Sequence, residues 1–166
     1  MRNTIFLSIV AMSLFSCINM RKEASSSNSQ TTEAVYSSNH PDSVFFTMKK
    51  SACLGQCPVY NLTVYHSGKA LLDGRDFIDF KGKHQGNFKK AELDSIVSQL
   101  ISIDYFNLEK VYDKKVTDVP TTTTEFHYNN QHHGVKNRWD GPKGLKAMEK
   151  FIHKLVLNTS WTKVEE

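Results

Sequence analysis

The chain has 166 residues, 39% of them hydrophobic and 23% charged, with 21 lysines and arginines against 17 acids for a formal net charge of +4. That length leaves room for one folded core and not two. The lysines are scattered among acids and form no stripe, which argues against nucleic acid as a partner.

The chain opens with Met1-Arg2-Asn3, an apolar run from Ile5 to Met12, and then Leu14-Phe15-Ser16-Cys17. A short basic start, an apolar stretch too brief to span a bilayer and a small residue before a cysteine read as a lipoprotein signal over residues 1–16. Processing would leave Cys17 as the lipidated first residue, anchored to a membrane without crossing it. Residues 17–42 include Ser25-Ser26-Ser27-Asn28-Ser29-Gln30-Thr31-Thr32, polar and without periodicity, and are expected to form a disordered tether. A coil of about 25 residues reaches roughly 28 Å, enough to hold a domain clear of the headgroups. Ile18 and the lack of an acidic run in Asn19-Met20-Arg21-Lys22-Glu23 favour an outer-membrane address facing the periplasm.

Residues 43–166 are expected to form a single domain. Val44-Phe45-Phe46-Thr47-Met48 has strand composition with Val44, Phe46 and Met48 alternating, and Val59 to Tyr65 places Tyr60, Leu62 and Val64 on one face. His66-Ser67-Gly68-Lys69 reads as a turn. Ala70-Leu71-Leu72 and Phe77-Ile78-Asp79-Phe80 are expected to continue the meander, broken by a turn at Asp73-Gly74. Leu93, Ile96, Val97, Leu100 and Ile101 form the apolar stripe of a helix from Lys90 to Ser102, and Tyr105 and Phe106 close over it.

A hairpin follows, from the β-branched and aromatic run Thr121 to Tyr128, through a turn at Asn129-Asn130-Gln131, to a strand running from His133 to Trp139. Leu145, Met148, Phe151, Ile152, Leu155 and Val156 mark a second helix, with Pro142 in its first turn. The expected architecture is α+β, a mainly antiparallel sheet with two amphipathic helices packed on one face. Hairpin then helix, twice over, suggests a duplicated unit.

The chemically suggestive segment is Ser51-Ala52-Cys53-Leu54-Gly55-Gln56-Cys57-Pro58-Val59-Tyr60. In an oxidising envelope two cysteines four apart across a glycine can close a disulfide, with Gly55 supplying the backbone freedom of a small ring. Cys-x-x-x-Cys-Pro is also similar to the thiolate pair of Sco-type copper chaperones, where soft sulfur selects copper. That alternative needs a distal imidazole, and His127, His132 and His133 are available, with Cys53, Cys57 and His133 as the candidate ligand set. In the chaperones the motif opens a helix in a βαβ fold, whereas here Pro58 leads into an alternating strand.

Several segments occur in a fixed order over residues 43–161: Cys53-x-Gly55-x-Cys57-Pro58-x-Tyr60, the Ser67-Gly68 turn, the helix with Leu93 and Leu100, Thr117-Asp118-Val119-Pro120-Thr121, Lys136, and Gly141-Pro142 before the helix with Leu145 and Ile152. Together they resemble an uncharacterised family of bacterial exported and lipid-anchored proteins, a domain of unknown function best represented in the Bacteroidetes. The helix start at Lys89-Lys90 departs from the serine or threonine cap more usual there. The resemblance implies a shared fold and an envelope location, and brings no catalytic residues with it.

Other chemistry finds little support in the residues. No histidine pair has the i, i+4 spacing of a metalloprotease, and neither a nucleophile elbow nor a glycine-rich phosphate loop is present. An envelope hydrolase would require His127 or His133 to meet Asp113 or Asp118 in a cleft. A candidate recognition surface combines Tyr60, Tyr65, Arg138 and Trp139, since exposed aromatics with arginine favour binding, and Asp118 before Val119-Pro120 is a turn-forming side chain beside it. The sequence thus points to a non-enzymatic, cofactor-free lipoprotein of the cell envelope. Its expected partners are the membrane, through the lipid anchor, and an envelope protein or glycan.

Overall fold

A computed structural model describes residues 43–114 and 116–165. The lipoprotein signal, Cys17 and the tether lie outside the described residues. In chain order the elements are β1 (Val44–Lys50), β2 (Val59–Tyr65), β3 (Lys69–Asp76), β4 (Gly82–Asn87), α1 (Lys90–Ser102), a 3₁₀ turn (Tyr105–Asn107), β5 (Val111–Tyr112), β6 (Thr122–Tyr128), β7 (Gln131–Asn137), α2 (Lys143–Asn158) and β8 (Thr162–Lys163). The strands join in one sheet of order β5-β7-β6-β1-β2-β3-β4-β8, antiparallel throughout except for the parallel pair β5 and β7. This is the expected α+β fold.

The period-two alternation decides what faces what. Phe46, Met48, Tyr60, Leu62, Val64, Leu72, Phe126 and Val135 turn to one side of the sheet, where they meet Leu93, Ile96, Val97 and Leu100 of α1 and Leu145, Met148, Ile152 and Val156 of α2 in one buried cluster. The 3₁₀ turn seals that layer. Its Tyr105 is fully buried, and its hydroxyl lies 3.0 Å from the Thr124 carbonyl and 2.8 Å from Thr124 Oγ1, which satisfies its polar end inside the core. The α1 stripe matches the expectation apart from Ile101, which ends it in solvent. Lys89 needs no hydroxyl to cap α1, because its N–H donates to Glu92 Oε2 at 2.7 Å, half of a capping box.

The opposite face has no helix over it among the described residues. Register places Thr47, Lys49, Asn61, Thr63, Leu71, Thr123, Glu125, His127, His132 and Lys136 there, and none of them is buried. A sheet with one sealed and one wet face is what a clean apolar/polar alternation produces.

Four expectations are corrected. A bulge between Val44 and Phe46 lets Phe45 and Phe46 both be fully buried, so the start of β1 does not alternate. Asp73-Gly74 is not a turn, because β3 continues to Asp76. Residues 77–80, expected as a strand, instead bend back over β3, with Ile78 buried. The strand that follows, Gly82–Asn87, is polar along its whole length and shows no apolar period. Finally, the hairpin turn has two residues and not three: Asn129 and Asn130 take φ of 50° and 59°, Tyr128 pairs with Gln131, and Trp139 lies beyond the strand. Two left-handed residues make a type I′ turn, whose twist suits a tight hairpin. A four-stranded meander precedes α1 and a hairpin precedes α2, so the two halves differ in strand number.

Candidate functional site

Cys53 and Cys57 are joined in a disulfide with their Cα atoms 5.8 Å apart. The bridge closes the connection between β1 and β2. It leaves Leu54 82% exposed and ties its N–H to the Asp118 carbonyl at 3.4 Å. Next to it, Ser51 N–H donates to Thr121 O at 3.0 Å and Thr121 N–H donates to Ser51 Oγ at 2.8 Å. The disulfide loop, the loop through Asp118 and the start of β6 therefore form one rim of the sheet. Chain entropy for so small a ring amounts to about 2 kcal/mol. The double variant Cys53→Ser/Cys57→Ser is expected to lose about that much in urea denaturation while keeping its fold.

The copper alternative is not assembled. Both sulfurs are consumed in the bridge, and His133 sits opposite Phe126, roughly 14 Å along β6 from Thr122 at the rim. Its Nε2 donates to the Leu108 carbonyl at 2.9 Å, and its ring meets Tyr105 edge to face. Nor do the hydrolase partners meet. Asp113 lies 3.9 Å from Arg138 Nε, Asp118 sits exposed in its loop at a φ of 70°, and among the described residues His127 and His133 instead meet Glu125 and the Leu108 carbonyl.

Tyr60 is not a surface residue, being 1% exposed. Its place on the core face of β2 sets its hydroxyl 3.0 Å from His153 Nδ1 of α2, with the two rings stacked. Burial pushes the Tyr60 phenol up, and burial, then the charge of Lys50, pushes the His153 imidazole down. Tyr65 lies at the far end of β2 from the rim, under Lys69. Arg138 and Trp139 follow β7 at the rim end, with Trp139 47% exposed. Of the expected surface, Asp118, Arg138 and Trp139 stay together at one end of the sheet and Tyr60 leaves it.

A polar network that the sequence did not announce lies beneath α2. Asn137 Nδ2 donates to both carboxylate oxygens of Glu149 at 3.0 Å, and Asn137 Oδ1 accepts the Gly141 N–H at 3.2 Å. Glu149 is 7% exposed. Burial raises its pKa from 4.5 to about 7 against the opposing pull of Asn137, Lys50 and Lys146. A Cβ at Gly141 would stand 2.6 Å from Asn137 Oδ1, so the glycine is what lets the β7–α2 loop close over the amide. This network fixes the helix to the sheet.

The helix-free face holds a different arrangement. Next to the rim, a concavity of about 500 Å³ is lined by Lys49, Asn61, Arg75, Thr121, Thr123 and Lys136, among others. None of its described lining residues is acidic. Register explains the gathering: Lys49 pairs across β1 with Asn61 on one side and Thr123 on the other, and Thr123 pairs with Lys136. Arg75 reaches Asp73 at 3.5 Å, while the Lys49 and Lys136 ammonium groups have no ion pair among the described residues. A slightly larger concavity, about 570 Å³, lies at the opposite edge between β4 and the end of α2, but there Glu92 stands with Lys69 and Lys89. Unbalanced charge makes the first the stronger binding candidate.

No described helix is long and apolar enough to cross a membrane. No curated protein sequence matches the chain. A family model, described as a domain of unknown function, matches residues 44–156, from the first residue of β1 to within two residues of the end of α2. The chain therefore belongs to the DUF6438 family, a domain of unknown function.

Proposed function

We propose that this protein is a lipid-anchored binding module of the cell envelope, held to the outer membrane through Cys17, that takes an acidic glycan on the helix-free face of its sheet. The observation that carries the reading is the concavity lined by Lys49, Arg75 and Lys136 with no acid among its described lining residues. The Lys49 and Lys136 ammonium groups, without an ion pair among the described residues, attract carboxylates, and Asn61, Thr121 and Thr123 supply the amide and hydroxyl groups that a sugar chain needs for orientation. The role is binding and not chemistry, because Glu149, whose pKa is raised, is engaged with Asn137 inside the fold.

The test is calorimetric titration of the protein with polygalacturonate and with a neutral galactan. Binding to the acidic chain alone, weakening with salt, is expected, and Lys49→Glu/Lys136→Glu should reduce it by about tenfold or more. Equal affinity for the neutral chain, or no response to the double charge reversal, would sink the reading. The anchor is tested separately: Cys17→Ser should move the protein from the membrane fraction to the soluble fraction.

A further inference from the structure

We propose that Glu125, His127 and His132 form a binding site for a divalent transition metal of borderline softness, represented by zinc, on the open face of the β6–β7 hairpin. Each residue contributes one donor atom, and the three donors lie within 4.8 Å of one another. His127 and His132 are directly opposed across the two strands. Because Tyr128 and Gln131 close the two-residue turn as a hydrogen-bonded pair, the next pair out is non-hydrogen-bonded, the type whose side chains approach most closely. The two rings accordingly stack with centroids 4.2 Å apart.

Glu125 sits two residues before His127 and so shares its face. Opposite Glu125 is Gly134, which has no side chain to block the carboxylate from reaching across. Glu125 Oε1 lies 2.5 Å from His132 Nε2 and 4.0 Å from His127 Nε2. Metal bonds of about 2.0 to 2.2 Å to nitrogen and oxygen in tetrahedral geometry set donors somewhat over 3 Å apart. The two separations bracket that value, a difference of the size that side-chain rotation covers. Two imidazoles and one carboxylate match zinc, with solvent or an outside ligand left to complete the shell.

Burial, then the neighbouring His132, pushes the His127 imidazole down against the opposing pull of Glu125. Other groups facing the site are Thr47 on β1 and His66, which interacts with His127 and is itself pushed down by burial. No lysine is paired across from any of the three ligands. The proposal does not rest on the glycan reading, since Glu125, His127 and His132 are not among the residues that line the concavity.

The test uses the full chain after treatment with chelator, titrated with Zn²⁺ by calorimetry while the imidazole nitrogens are followed by NMR. One equivalent is expected, with the His127 and His132 resonances moving together. His127→Asn/His132→Asn should weaken binding on the order of 100-fold and Glu125→Gln about tenfold, whereas His84→Asn, on β4, should change nothing. The resonance shifts in the unaltered protein keep the test valid even if a variant misfolds. Absence of binding at micromolar zinc, shifts at other histidines only, or undiminished binding by the folded double variant would overturn the proposal.

Discussion

Gly74→Ala is expected to destabilise the domain by about 3 kcal/mol, with a fall in Tm of roughly 10 °C. The sign is the informative part. Gly74 lies inside β3 and is not among the residues of positive φ. On backbone grounds alone, alanine would therefore stabilise by a few tenths of a kcal/mol to about 1 kcal/mol, by restricting the unfolded chain. What opposes it is the segment 77–80 folded back on the strand. A Cβ at residue 74 would stand 1.8 Å from the Phe80 carbonyl oxygen and 3.1 Å from Ile78 Cγ2. Backbone cannot yield as a flexible side-chain tip can, so the bend must lift and expose Ile78. Urea denaturation decides between the two effects, and a variant as stable as the parent would mean that residues 77–80 do not pack there.

Glu149→Gln is expected to remove a pH dependence of stability on the order of 3 kcal/mol. The folded pKa of about 7 lies above the ordinary 4.5, so the native state holds this proton more tightly than the unfolded chain. The resulting stabilisation is fully present below about pH 4.5 and is lost as pH rises through about 7. The parent protein should thus weaken between pH 5 and pH 8. Glutamine keeps a hydrogen-bonding partner for Asn137 without a charge to bury, so the variant should match the parent near pH 5 and exceed it near pH 8. Denaturation midpoints at unit pH steps check this. Parallel curves for parent and variant would show that Glu149 is not buried as described.

Gly74 also shows where the sequence misleads. Asp-Gly is a strong turn signal, yet a glycine inside a strand equally marks a close backbone approach, and only the three-dimensional path of residues 77–80 tells the two apart. By contrast, α1 was legible to the residue, because Leu93, Ile96, Val97 and Leu100 carry a helical period that nothing interrupts. β4 was not legible, because an edge-region strand of Gly-Lys-His-Gln-Gly-Asn contributes backbone and almost no apolar surface.

The sites were legible in parts. Cys53 and Cys57 were readable because the disulfide is local. Lys49, Arg75 and Lys136 come from three strands far apart in sequence, and only strand order assembles them. The Glu125, His127 and His132 cluster turned on a single residue of register. A three-residue turn pairs His127 with His133, and the actual two-residue turn pairs it with His132. Such a slip moves every side chain of the strand to the other face. His133, the histidine of the candidate copper set, points toward Tyr105 and Leu108. Two adjacent asparagines, both tolerant of the left-handed region, were the signal that could have fixed the register.

The most direct test of the proposed role is lysine footprinting with an acetylating reagent, performed on the anchored protein in native envelopes and again after it is extracted and freed of envelope glycan. Lys49 and Lys136 should be protected in the envelope and reactive after extraction, while Lys143 and Lys150 on α2 should react equally in both. Equal reactivity of Lys49 and Lys136 in the two states, or protection confined to α2, would contradict binding on the helix-free face.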